Sequence, residues 1–170
     1  MYPPVPSLNG ERFGTAWPLV PFDGAVAVTR ARVAATLQLW GLHLGSRQDD
    51  IALLVSELVT NALTYGRGEV ITIGLYASRT EQSMTLDVLD ASQDLPTLEL
   101  SGPDDEHGRG MFIVDALTQG RWTTQRTEHG KRIIATLPLP PAPHDERHRH
   151  ALNCRIQAAR PQPYVVEAAS

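Results

Sequence analysis

Apolar side chains recur along one part of the chain as Ile51, Leu54, Val55, Leu58, Val59 and Ala62, spaced 3, 1, 3, 1, 3. That rhythm describes an α-helix with a single face turned to a core. Ser46, ahead of Asp49 and Asp50, is predicted to cap it: a Ser oxygen accepts orphan backbone N–H groups, and acids suit the positive helix end. Gly66 and Gly68 are predicted to stop it. Upstream, Val26, Val33, Leu37 and Trp40 fall close to another helical stripe, and Asp23 is placed to cap a helix over about 24–41. Elsewhere the period drops towards two. RFGTAWPLV (12–20), VITIGLYA (70–77) and MTLDVLD (84–90) read as strands, and RWTTQRT and KRIIATLPL read as a hairpin around Glu128, His129 and Gly130. A loop rich in Asp, Pro and Gly runs from 91 to about 109, and GMFIVDALTQG is a short helix ending at Gly120.

Helices laid on one face of a mostly antiparallel sheet make a two-layer α/β sandwich of the α+β class. The chain of 170 residues is long enough for one such core, here residues 12–139. Residues 1–11, rich in Pro and Gly, are expected to be a flexible leader, and 140–170, beginning PPAPHDERHRH, a flexible polar tail. His144, His148, His150 and Cys154 in that tail are zinc-ligand types. They are flanked by Pro and charge and lack a paired C-x-x-C element, so the tail is read as polar chain, not a metal site.

Charge and cysteine use narrow the function. A formal charge of −4 argues against nucleic acid as the main partner. The one cysteine excludes an internal disulfide, MYPPVPSLNG has no signal-peptide pattern, and no apolar run approaches the roughly 20 residues of a membrane helix. The expectation is a cytoplasmic protein that does not enter membranes.

Three polar features stand out against this background. Glu57 and Asn61 lie four residues apart, on one strip at the edge of the apolar helix face, where both are partly shielded from water. Asp90 ends a strand where the long loop begins. Gly108, Arg109 and Gly110 lead into an apolar helix, and a Gly-flanked helix start lets backbone N–H groups approach an anion. A loop as long as that between Asp90 and Gly110 is often a binding loop or lid. Lys131 and Arg132, at the hairpin, are expected to be a solvated pair, with contact to phosphate as the alternative.

In this order the features resemble the ATP-binding domain of the histidine-kinase-like (GHKL) superfamily, and more closely the small bacterial anti-sigma-factor serine/threonine kinases. ELVTNALTYG resembles the family's N box, Asp90-Ala91-Ser92 its first glycine box, and GRGMFIVDAL its second. The resemblance implies ATP and Mg²⁺ as cofactors, with Asn61 as a ligand of the metal and Asp90 accepting from the adenine amine. It further implies that Gly108, Arg109 and Gly110 close on the phosphates, and that Glu57 is the general base of phosphoryl transfer. A sigma factor and an anti-anti-sigma protein are the partners it suggests, and relatives often form homodimers. Two departures stand out: the first glycine box reads Asp90-Ala91-Ser92-Gln93-Asp94 in place of D-x-G-x-G, and Tyr65 stands where many relatives carry His. Three functions follow as alternatives. They are a regulatory serine kinase, a non-catalytic ATP-dependent switch, and a detached sensor-kinase domain. The last is disfavoured, since one helix precedes residue 46 and its His43 lies at that helix's end.

Overall fold

The computed structural model describes residues 12–66, 70–95 and 109–141. Along the chain run β1 (Arg12–Leu19), α1 (Ala25–Leu39), α2 (Gln48–Tyr65), β2 (Ile71–Ser78), β3 (Ser83–Asp90), α3 (Arg109–Thr118), β4 (Trp122–Thr127) and β5 (Gly130–Pro138). The strands form one five-stranded sheet in the order β1-β2-β3-β5-β4. Every pairing in it is antiparallel.

Register explains why the sheet has one covered face. Trp17 lies opposite Ile73, Ile73 opposite Val88, and Val88 opposite Ile133, so one row of apolar side chains crosses four strands. Rows through Leu75, Leu86 and Ala135, and through Ala77, Met84 and Leu137, extend it. The helices pack on this face with Val33 and Leu37 from α1, Leu54, Leu58 and Ala62 from α2, and Val114 from α3, all buried. Several residues of the other parity are polar and paired with one another. Thr85 and Thr136 hydroxyls meet at 2.9 Å, and Arg132 Nε donates to both oxygens of Asp87 at 2.8 and 2.9 Å. The α+β sandwich expected from the hydrophobic pattern is the fold observed.

Both predicted helix caps are absent. Helix α1 starts behind Gly24, which adopts a left-handed φ of 94°, with no side-chain cap, so Asp23 stands outside the first turn. A 3₁₀ turn, Gly45–Arg47, precedes α2 and draws Ser46 into itself, so the residue at the α2 cap is Arg47. Arg47 Nη1 instead pairs with Asp50 Oδ2 at 2.8 Å in the first turn. Gly66 ends α2, its N–H donating to the Ala62 carbonyl at 2.7 Å. Gly68 lies outside the described residues, as do the segments 1–11 and 142–170 read as leader and tail, the His and Cys residues of that tail included. Helix α3 is pinned to β4 by the Trp122 indole N–H, which donates to Asp115 Oδ1 at 2.8 Å. Among the described residues no helix is long and apolar enough to cross a membrane.

Candidate functional site

Helix α2 carries its core stripe on one side and a second, polar strip beside it. Glu57, Thr60, Asn61 and Thr64 follow one another at helical spacing, and with Tyr65, Gly110 and Met111 they line an open groove of about 230 Å³. Glu57 and Asn61 are half-buried, as their place at the edge of the apolar face requires. The opposite wall is the start of α3. Gly110 comes so close to Glu57 that a β-carbon there would sit 2.7 Å from Glu57 Oε2. The missing side chain therefore gives the carboxylate its place at the first turn of α3, where the helix dipole favours negative charge.

Asn61 is held by the same helix. Its amide nitrogen donates to Met111 Sδ at 3.6 Å, and among the described residues its carbonyl oxygen has no hydrogen-bond partner. Glu57 likewise has no hydrogen bond or ion pair among them. Two oxygen-bearing groups one turn apart are thus left available on the groove wall, next to a helix start.

Asp90 does not line this groove. It ends β3 on the covered face, directly opposite Lys131 of β5, beneath the end of α2. A β-carbon on Gly66 would meet Asp90 Cβ at 3.2 Å. Asp90 and Lys131 side chains are 1% and 2% exposed, with Nζ 3.5 Å from Oδ2. Asp90 Oδ1 accepts from the Ser92 N–H at 2.8 Å, whereas Oδ2 accepts no hydrogen bond among the described residues. Burial holds the Asp90 pKa above its ordinary 3.8, while the Ser92 N–H and then the Lys131 charge pull the other way. The solvated Lys131 and Arg132 expected from sequence are not found: Lys131 is enclosed and Arg132 is clamped to Asp87. The expectation failed because it treated the hairpin as exposed on both faces. Lys131 shares the parity of Ile133, Ala135 and Leu137, and so turns inward.

The structure brings Glu57, Asn61 and Gly110 to one groove, starts α3 at Arg109, and sets Asp90 behind the groove's far end. Gly108 lies outside the described residues, as does the stretch 96–108 of the expected binding loop. Glu57 and Gly66 lie nine positions apart, which at 1.5 Å per residue is about 13 Å along the axis of α2 and its cap. That length is on the scale of a nucleoside triphosphate. Sequence reasoning missed Thr60, Thr64 and Met111 as groove residues; the first two continue the Glu57–Asn61 strip at intervals of three, and that spacing was the available signal.

Could such a groove hold Mg²⁺? Among the described residues no three His, Cys, Asp or Glu side chains gather for a metal. Mg²⁺ does not need such a cage: it takes one or two protein oxygens and completes its shell with water and phosphate. The free Asn61 carbonyl oxygen, with Glu57 one turn away, fits that demand. Phosphate oxygens of a bound nucleotide, with water, would supply the rest of the shell.

A two-layer α+β sandwich with a polar groove between one core helix and the start of another defines the class. The sequence pattern of the histidine kinase-like ATPase domain matches residues 23–137, more than half of the chain. The chain belongs to the histidine kinase-like ATPase domain family. Among solved structures, the catalytic domain of histidine kinase ThkA, in a nucleotide-free form, is similar over 76% of this chain and 99% of that one, at 14% identity and a TM-score of 0.43. Comparison with curated proteins gives no match.

Proposed function

We propose that this chain is an ATP-binding regulatory protein that transfers phosphate to a serine or threonine of a protein partner. The observation that carries the reading is the Glu57 carboxylate, set against Gly110 at the first turn of α3 with Asn61 one turn along α2. Mg·ATP supplies the electrophilic γ-phosphorus and the ADP leaving group. Asn61 would hold the metal through its carbonyl oxygen, and the N–H groups opening α3 would face the phosphate charge. Glu57 takes the proton from the acceptor hydroxyl as its oxygen bonds to phosphorus and the bond to the β-phosphate oxygen breaks. The products are ADP, the phosphorylated partner, and a proton on Glu57.

The partner class comes from the resemblance of ELVTNALTYG, Asp90-Ala91-Ser92 and GRGMFIVDAL to the anti-sigma kinases. On that reading the protein sequesters a sigma factor and phosphorylates an anti-anti-sigma protein, as a monomer or a homodimer. The test is transfer of γ-labelled phosphate from ATP to purified anti-anti-sigma proteins. Glu57→Gln should retain ATP binding and lose transfer by about 100-fold or more. ATP binding by the wild type without transfer to any such protein would replace the kinase by a non-catalytic switch.

A further inference from the structure

Two polar groups of α2 line the groove, and one turn of α3 meets both. Gly110 lets that turn reach Glu57, and Met111, the next residue, accepts at Sδ from the Asn61 side-chain amide at 3.6 Å. Among the described residues that sulfur is the one hydrogen-bond partner of the Asn61 side chain. A carboxamide has two ends of similar size and opposite character: an NH2 that donates and an oxygen that accepts. Its last torsion is broad and roughly two-fold, so packing around the helix does not choose between the two orientations. A thioether sulfur does choose, because it accepts and has no hydrogen to give. With the NH2 on the sulfur, the oxygen is left to the groove. With the amide turned over, two acceptors face each other and the NH2 stands where a cation must sit.

We propose that Met111 is a positioning residue for metal binding: its sulfur fixes the Asn61 amide so that the carbonyl oxygen, not the NH2, is presented to Mg²⁺. The proposal rests on the nucleotide reading above and deepens it. Packing does not ask for sulfur at this place. Met111 is 5% exposed and belongs to the same core as Val114, a role that leucine, of similar volume, fills as well. Enclosure also holds an otherwise adaptable side chain, and its sulfur, in one place. Without the sulfur, the neighbouring acceptor on the same strip is the Glu57 carboxylate, one turn back. A charge-assisted bond to it turns the NH2 into the groove and ties down the carboxylate as well. If about one molecule in five or fewer then keeps the oxygen outward, apparent affinity for the metal falls about fivefold or more.

Calorimetry on the full chain reads ATP affinity with Mg²⁺ and with the metal chelated, once cooperative melting of each protein has been checked. Met111→Leu should bind ATP about fivefold or more weakly than the wild type in Mg²⁺, and within about twofold of it without metal. A second measurement uses the wild type alone, free of nucleotide, and decides by itself if the variant does not fold. In its NMR spectra the Asn61 side-chain NH2 protons should show strong nuclear Overhauser contacts to the Met111 side chain. Absence of those contacts would overturn the proposal. So would a Met111→Leu protein whose ATP affinity is unchanged, or falls equally with and without Mg²⁺, while the wild type responds to the metal. A wild type that binds ATP but ignores Mg²⁺ would remove the metal, and this proposal with it. A wild type that binds no ATP would overturn the nucleotide reading itself.

Discussion

Glu57 owes its position to an atom that Gly110 lacks. A β-carbon at 110 would lie 2.7 Å from Glu57 Oε2, and the atom it meets is the end of a flexible side chain. Gly110→Ala should therefore move the carboxylate and leave the backbone in place. On the kinase reading, ATP affinity should change by less than about threefold while transfer of labelled phosphate falls about tenfold or more, since a small misplacement of a base is costly. Unchanged transfer would detach Glu57 from the chemistry. At this scale the sequence was informative where spacing alone decides direction. Glu57 and Asn61 stand on the predicted half-buried strip because helical geometry fixes it. Lys131 was misjudged although the strand KRIIATLPL carries the answer in its alternation: charge suggested solvent, parity placed it inside. Asp90 follows the same parity, with Leu86 and Val88 before it.

The elements themselves were largely legible, because each long one has a clean period. The stripe of α2 appears in the structure residue for residue as Ile51, Leu54, Val55, Leu58, Val59 and Ala62. Their starts were not legible. A 3₁₀ turn ahead of α2 and a left-handed Gly24 ahead of α1 displace Ser46 and Asp23 from the cap positions, and such turns depend on how the chain enters the core. The β4–β5 hairpin shows what one residue can demand of an element. Gly130 has a φ of +143°, and a β-carbon there would be 1.8 Å from the Asp90 carbonyl oxygen. Neither the backbone angle nor the neighbouring backbone tolerates a side chain. Gly130→Ala should destabilise the fold by about 2 kcal/mol or more, read as a lower midpoint in urea unfolding. A loss below about 0.5 kcal/mol would mean that β3 and β5 approach each other less closely than described.

The whole molecule joins these parts through an order of strands that no local pattern contains. β5 lies between β3 and β4, and it is this placement that sets Lys131 against Asp90. Neither residue hints at the other in the sequence, because they are brought together by pairing across some forty positions. The groove shares that dependence: one wall comes from α2, the other from α3. Helix α2 supplies the core at its centre and the polar strip along its edge, so stability and site are carried by the same eighteen residues. A nucleotide that engages this strip should stabilise the entire fold, by about 2.7 kcal/mol at a hundredfold excess over its dissociation constant.

The groove is proposed to take Mg·ATP through Asn61. Calorimetric titration of the full chain with ATP, with and without Mg²⁺, tests this most directly, in the wild type and in Asn61→Ala. Saturable binding is expected in the wild type, strengthened by Mg²⁺ and abolished in a variant that still melts cooperatively. Affinity that is the same in both proteins, or heat of dilution alone from the wild type, would contradict it.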